Sequence, residues 1–388
     1  MKIFVTTISL LILTFNGFGQ ENRNLPRANA IMDSVYKYYA VPGSPLLREQ
    51  YPYNETYVAD YLGGGENSSK ANPYSYLWPF SGSLSAQVAI FHSSGDKQVK
   101  KQIDNTVLKG LDAYYDKRVP AGYASYVNSA PESDRFYDDN IWLGIDYTDL
   151  FLLTADKKYL QKAKEIWRFV ASGMDEKLGG GIYWCEQRKH SKNTCSNAPA
   201  IVYLAKLYQA TNDKKYLELA QQLYSWTQEN LLDKTDNLYF DNISLDGTIE
   251  KTKYPYNSGQ MIQAGALLYK ITQQKQYLTD AQNVAHASYD YFFYDYKQPA
   301  TGKTIKLLKT SNNWFIAVMM RGFMELYGQD ANRLYVDGFQ ANLDFAWEHM
   351  REQNGLFNSD WSGEKKKKSK SLLDQFALAE MYGNIAKL

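Results

Sequence analysis

Several charged segments of the chain place apolar residues at i, i+3, i+4 and i+7, the spacing of one buried helix face. "DKKYLQKAKEIWRFV" begins at Asp156, "DKKYLELAQQLYSWT" at Asp213, "KQYLTDAQNVAHASY" at Lys275 and "NRLYVDGFQANLDFA" at Asn332. Their tyrosines, Tyr159, Tyr216, Tyr277 and Tyr335, recur with a period of about 60 residues, the mark of a repeat architecture. A fainter copy from Asp96 and "RANAIMDSVYKYY" from Arg27 extend the series. Turns rich in Asp, Asn and Lys open the copies, as helix starts require. Between them lie segments of another kind, beginning at Leu77, Asp139, Asn197, Asn257, Asn313 and Leu372. These carry few charges and many small residues, and are apolar nearly all round, as a buried helix should be. The alternation predicts an all-α chain, an (α/α)6 toroid of six inner and six outer helices. A linear helical solenoid would need polar capping repeats. The last segment, reaching Leu388, is as apolar as the middle ones, which favours a closed ring.

In such a ring the inner helices all run the same way, so the residues around their N-termini gather at one mouth. That set is Tyr76 to Trp78, Asp138 to Asn140, Asn193 to Asn197, Tyr256 and Asn257, Asn312 to Trp314, and Ser371. It is polar and aromatic in front of apolar helices, where a concave site with convergent polar groups belongs.

The chain has 388 residues, 44% of them hydrophobic, enough for a large core. We expect a single catalytic domain over residues 20–388 and a secretory signal peptide over residues 1–19. Met1 and Lys2 form a short basic start, Ile3 to Phe15 an apolar run, and Gly17 and Gly19 supply small residues before a cut. No cysteine lies near the cut, so the expectation is a soluble exported protein, periplasmic or secreted and not lipid-anchored. A net charge of +1 offers no bulk attraction for nucleic acid or an anionic membrane. We expect no cofactor, and a monomer. The four histidines, His92, His190, His286 and His349, show no metal-ligand spacing. Cys185 and Cys195 are ten residues apart, a possible disulfide in an oxidising compartment.

Two features carry chemistry. The first is aromatic abundance: 33 tyrosines, and 15% aromatic residues overall, suit a surface that stacks on sugar rings. The second is the pair Asp138 and Asp139. Neighbours on a helix do not face one another, so we place the pair on a turn leading into the inner helix. The plain alternative is an N-cap at Asp139 with a solvated neighbour. At the mouth of a ring, however, paired carboxylates in an aromatic cleft are the machinery of glycoside hydrolysis. Mutual repulsion raises the pKa of one, while backbone N–H groups at the helix start hold the other ionised. Adjacent residues suit the separation of about 5–5.5 Å found in retaining enzymes. Asp146 and Asp149, further along the same helix, read as buried or hydrogen-bonded. Asp360 reads either as a sugar contact or as plain turn chemistry, and Lys365 to Lys368 as a solvated loop.

The stretch "YDDNIWLGIDYTDLF" (137–151) resembles the catalytic motif of glycoside hydrolase family 76, the α-1,6-mannanases. So, in the same order, do "YSYLWPFSG" (74–82), "GGGIYWCEQRKHSKNTCSNAPAI" (179–201), "YPYNSGQMIQAGALLY" (254–269) and "KTSNNWFIAVMMRGF" (309–323). The resemblance covers essentially the whole mature chain. It implies a retaining endo-hydrolase of α-1,6-linked mannan on an (α/α)6 fold, with Asp138 as nucleophile and Asp139 as acid/base. Sugar-contacting candidates are Trp78, Tyr137, Asn140, Trp142, Trp184, Asn193, Tyr256, Asn257 and Trp314. The loop from Gly179 to Ile201, which also carries Glu186 and Lys192, is expected to form one wall of the groove. Two other classes stay open at this point: a binding toroid without turnover, and an epimerase or lyase using His or Tyr. A glycosidase for another α-linked glycan is the nearer alternative.

Overall fold

The computed structural model describes residues 23–59, 73–299 and 301–388, so the expected signal peptide lies outside the described residues. Twelve helices follow one another there. They are α1 (Asn24–Tyr38), α2 (Leu77–Ser94), α3 (97–114), α4 (Tyr137–Thr154), α5 (Lys157–Ala171) and α6 (Thr194–Thr211). Then come α7 (Lys214–Leu231), α8 (Pro255–Thr272), α9 (Lys275–Phe292), α10 (Asn313–Asp330), α11 (Leu334–His349) and α12 (Leu372–Ile385). Only α3 is irregular, with a π turn at Ile103–Val107 and a 3-10 end at Asp112–Tyr114. The even-numbered helices form the inner ring. Each packs on the next, and α12 packs back on α2, which closes the toroid. The odd-numbered helices lie outside. Helix α5 buries only a stripe through Tyr159, Ala163, Ile166, Trp167, Phe169 and Val170, whereas α6 is buried from Thr194 to Ala205 without a break.

The two poles of the ring differ because their connections differ. At one pole each of five inner helices ends on a single left-handed residue: Gly95, Ala155, Asn212, Gln273 or Ala331, with φ between 56° and 62°. An aspartate often follows at once and caps the outer helix. Asp96, Asp156 and Asp213 accept from the N–H groups of Gln98, Lys158 and Lys215. These turns are too short to build anything else. At the other pole the chain returns through loops of about 20 residues, the length at which loops carry function. They hold the short strands, among them β1 (Ser191–Asn193), β2 (Asn242–Ser244) and β3 (Ile249–Glu250), paired antiparallel in the order β1-β2-β3.

Three inner helices begin earlier than the hydrophobic pattern indicates. Helices α4, α6 and α8 start at Tyr137, Thr194 and Pro255 rather than at Asp139, Asn197 and Asn257. Their N-cap residues, Phe136, Asn193 and Tyr254, are extended and make no side-chain cap bond. In α4 and α6 an asparagine in the first turn straps a distant strand across the helix start instead. Asn140 Oδ1 accepts from Tyr123 N–H and its amide donates to the Tyr123 and Phe136 carbonyls. Asn197 does the same with Ile182 and Asn193. Two inner helices also approach unusually closely. A Cβ on Gly259 of α8 would meet the Met319 backbone of α10, and one on Gly322 would meet the Gly259 carbonyl.

Candidate active site

The pole with the long loops holds a cavity of ≈ 390 Å³, within the ordinary range for a small-molecule site. One wall is aromatic. Trp78, from the start of α2, meets Trp314 edge-on at 5.7 Å, and Trp142 of α4 meets Trp314 edge-on at 4.7 Å. Phe315 lies 4.0 Å from Tyr256, almost parallel to it. Another part of the lining is polar, built from Ser191, Asn193, Asp241 and Asn242, which the β1–β2 pairing brings together. The loop from Gly179 to Ile201 does form a wall beside the aspartates: Trp184, Ser191, Asn193 and Cys195 all face the cavity.

Asp138 and Asp139 sit at the cavity floor, in the first turn of α4 and not on a turn before it; Phe136, not Asp139, is the N-cap. The free N–H groups and the positive end of the helix favour a carboxylate there. The two acids nevertheless have unequal surroundings. Asp138 Oδ2 accepts from Trp184 Nε1 at 3.2 Å, while Oδ1 is buried without a hydrogen-bond partner among the described residues; the Cys195 thiol and the N–H groups at the helix start lie near the carboxylate and favour its charged form. Burial lifts its pKa and these donors restrain the rise. Asp139 has no such help: burial and the charge of Asp138 both push its pKa well above the carboxylate range. Asp138 is therefore the first to ionise and Asp139 keeps its proton. Asp241 is a third acid in the same cavity, raised by burial and restrained by the Asn242 and Asn257 amides. Among the described residues lining the cavity there is no Lys, Arg or His to neutralise these acids.

The structure sorts the sugar-contacting candidates. Trp78, Trp142, Trp184, Asn193, Tyr256 and Trp314 line the cavity. Tyr137, Asn140 and Asn257 do not. Tyr137 is turned back into the core, stacked on Phe169 at 5.0 Å and packed against Gly173. Asn140 uses its whole amide on backbone, as described above. Asn257 is buried behind Asp241, to which its Nδ2 donates at 3.4 Å. Two further members of the wall loop also act elsewhere. Lys192 is fully buried and donates to Asp175 Oδ1 and the Lys177 carbonyl, both at 2.7 Å. Glu186 forms a two-pronged pair with Arg135, with both bonds at 2.6 Å.

The possible disulfide is not formed, and both cysteines are free and buried. Their thiols have different surroundings. Cys185, bridged to Phe136 through the backbone, has its sulfur near Gln187 Oε1 at 3.8 Å. Cys195, in the first turn of α6, faces Asp138 and Tyr256. Asp146 lies at the other pole in a separate cavity of ≈ 650 Å³, accepting from Ser85 Oγ at 2.6 Å with Arg321 nearby. Asp149 pairs with Lys206 beside it. Asp360 is held by Thr310, Ser362 and the Lys365 N–H, which is turn chemistry. His92 borders that second cavity, and His286 and His349 are exposed. No group of three or more potential metal ligands occurs among the described residues.

Asp241, Asn242, Ser191, Tyr254 and Phe315 also line the cavity and are missing from the sequence-based set. Tyr254 and Phe315 were within reach, since they flank Tyr256 and Trp314 in the same loops. Asp241 and Asn242 carry no local signal, because only strand pairing across the wall brings them to the site.

Comparison with known proteins agrees with this geometry. The sequence profile of glycosyl hydrolase family 76 matches residues 49–387. The mannosidase Bt3792 of that family, from Bacteroides thetaiotaomicron, superposes with a TM-score of 0.84 at 34% identity, over 94% of this chain and 98% of its own. An inactive double-aspartate variant of the α-1,6-mannanase GH76A of Salegentibacter sp. HEL1_6, solved with α-1,6-mannotriose, shares the fold at 22% identity. Its TM-score is 0.73, over 93% of this chain and 99% of its own. The mannan endo-1,6-alpha-mannosidase DCW1 of Saccharomyces cerevisiae is 27% identical over 150 residues, which are 36% of this chain and 33% of that protein. With its ring of helices, its acid pair and a family match across nearly its whole length, the chain belongs to glycosyl hydrolase family 76 and is a glycoside hydrolase.

Proposed function

We propose that the enzyme is a retaining endo-α-1,6-mannanase in which Asp138 is the nucleophile and Asp139 the acid/base. The observation that carries this reading is the unequal environment of the two adjacent acids. The Trp184 indole donates to Asp138 and groups at the helix start favour its anion, whereas burial and the charge of Asp138 hold the proton on Asp139, and among the described residues no cation lines the cavity. In the first step the Asp138 carboxylate attacks the anomeric carbon while Asp139 gives its proton to the departing oxygen. The resulting ester is uncharged, so the repulsion that held the proton on Asp139 disappears. Its pKa falls, and it can now take a proton from the water that opens the ester. Two displacements restore the starting anomeric configuration. Trp78, Trp142, Tyr256, Trp314 and Phe315 give the apolar sugar faces a platform, and Asp241, Asn242 and Asn193 face the hydroxyls. Mannan as substrate rests on the named activities of the relatives. Export rests on the composition of residues 1–19.

The test uses unbranched α-1,6-mannan, branched mannan and an α-glucan, with the anomer of the first product followed by NMR. Internal cleavage of unbranched mannan with retention supports the reading; inversion, or a preference for the glucan, overturns it. Asp138→Ala and Asp139→Ala should each fold and lose almost all turnover. A mannosyl fluoride substrate should rescue only Asp139→Ala, because fluoride leaves without a proton.

A further inference from the structure

Residues 135–137, which lead into α4, run antiparallel to residues 184–186 of the wall loop. The Tyr137 N–H donates to the Trp184 carbonyl at 2.9 Å, the Glu186 N–H donates to the Arg135 carbonyl at 3.0 Å, and Phe136 is bridged to Cys185 between them. One strand of this short ladder runs straight into Asp138; the other carries Trp184, whose indole donates to Asp138. Side chains lock one end of the ladder. Arg135 is 2% exposed and grips Glu186 with two bonds, Nε to Oε2 and Nη2 to Oε1, both at 2.6 Å. Its Nη1 donates to the Arg118 and Pro120 carbonyls at 3.0 and 2.9 Å. The guanidinium lies 4.6 Å from the centre of the Phe169 ring, on which Tyr137 stacks. Asp134 and Arg188 join the same two segments one step further out, at 3.1 Å, with the Arg188 guanidinium 5.6 Å from the Trp184 ring. Neither Arg135 nor Glu186 lines the catalytic cavity.

We infer that Arg135 and Glu186 are positioning residues for the nucleophile: their fork fixes the register of the 135–137/184–186 ladder, and with it the reach of the Trp184 indole to Asp138. The inference rests on the proposed role of Asp138. A buried ion pair is weak evidence for added stability, and its best-attested use is to specify register. A ladder of three residues has few backbone bonds with which to choose its own register, and a slip by one residue turns every side chain to the other face. Such a slip would carry Trp184 away from Asp138. The guanidinium fork matches a carboxylate in one planar geometry, so it admits one alignment of the two segments. The fork therefore acts on the reaction through Trp184, without touching substrate.

The experiment compares Glu186→Gln, Trp184→Phe and the Glu186→Gln/Trp184→Phe double variant, with Asp138→Ala as control, on an α-1,6-mannotetraoside bearing a chromogenic leaving group. Removing one charge of a buried pair can cost the fold, so Gln187→Ala serves as the milder variant. Gln187 is exposed; its Oε1 accepts from the Arg135 N–H and its Nε2 donates to Glu186 Oε2. Its loss loosens the fork and leaves no charge unpaired. Glu186→Gln should move the acid limb of the kcat/KM–pH profile upward by up to about one unit, as loss of the indole donor requires. Gln187→Ala should move it the same way by less. The sign is diagnostic. Loss of the Glu186 charge acting through space would ease the ionisation of Asp138 and move the limb down. The other titratable groups in the cavity, Asp139, Asp241, Cys195, Tyr76, Tyr254 and Tyr256, are the same in every variant. In the Trp184→Phe background Glu186→Gln should shift the limb no further. A limb that stays in place or moves down in folded Glu186→Gln, or shifts that add fully in the double variant, overturns the inference. If Glu186→Gln does not fold, Gln187→Ala decides by the same criterion. If Asp138→Ala is dead while both fork variants keep the parent's limb, only the positioning role has failed. If Asp138→Ala turns over normally, the proposed mechanism itself has failed.

Discussion

Replacing Trp184 by Phe removes the indole donor to Asp138. The indole ring packs on Phe136 at 4.8 Å and its Nε1–H donates to Asp138 Oδ2 at 3.2 Å. Phenylalanine keeps much of the packing and removes the donor. A hydrogen bond to an ionised group contributes about 1.5–3 kcal/mol. At 3.2 Å this bond is long for its type, so the lower figure applies: about 1.5 kcal/mol, or about one pKa unit. The sign follows from which form is served. The indole stabilises the carboxylate, so its loss favours the acid and raises the Asp138 pKa. The free-enzyme acid limb, read from kcat/KM against pH on a chromogenic α-1,6-mannotetraoside, should move up by about one unit. Near pH 7 the variant should be several-fold slower; at higher pH, before Asp139 loses its proton, it should recover. A limb that does not move, or moves down, refutes the claim that Trp184 tunes Asp138. A rise in KM alone would leave Trp184 as a sugar platform only.

Three further outcomes follow from the same contacts. A carboxyl whose pKa is raised by folding keeps its proton where the unfolded chain has lost it. The native state then binds more protons, and stability falls as pH rises from about 4 toward the folded pKa. Asp139 is such a group, so Asp139→Asn should raise Tm at pH 8, leave it unchanged near pH 3, and abolish activity; an equal Tm difference at both pH values would contradict this. Gly259→Ala forces a methyl into the Met319 backbone, and overpacking of this kind costs about 1–3 kcal/mol; it should lower Tm and loosen the Tyr256–Trp314 wall, measurable as a rise in KM. Alkylation of the unfolded protein without reduction, followed by mass spectrometry, should modify both Cys185 and Cys195; a mass lacking two alkyl groups would show a bridge.

The ring itself was readable in the sequence because its signal is local. Each outer helix shows its stripe in its own residues, and each inner helix shows uniform burial in its own residues. The helix starts were misplaced where the cap is not local. Asn140 and Asn197 fasten α4 and α6 to Tyr123 and Ile182, about 15 residues away, and nothing near Asp139 announces that the helix has already begun. The same limit explains Asp241 and Asn242. The stretch "FDNISLDG" reads as an ordinary turn, and only its pairing with the strand ending at Asn193 delivers it to the cavity. The cysteines mislead in the opposite way. Their separation invites a bridge, but a strand, a turn and a helix start lie between them, and each thiol has found other neighbours. Asn140 and Asn257 fall in the first turns of their helices but are buried away from the cavity. Their amides are taken by backbone or by Asp241.

The packing of α12 against α2 has a kinetic consequence. Helices α2, α4, α6 and α8 can each dock on the outer helix that follows across a two-residue turn, and α10 across three residues, so hairpins form early and locally. The last seam joins α12 to α1 and α2, segments roughly 300 or more residues apart, and such closures are costly in chain entropy. Until it forms, the chain is an open arc with two apolar edges, able to pair with another arc as well as with itself. The cavity wall spans the ring from Trp78 of α2 to Trp314 of α10. During refolding, hydrolytic activity should therefore return with the last slow phase, well after helical circular dichroism has recovered, and its yield should fall as protein concentration rises.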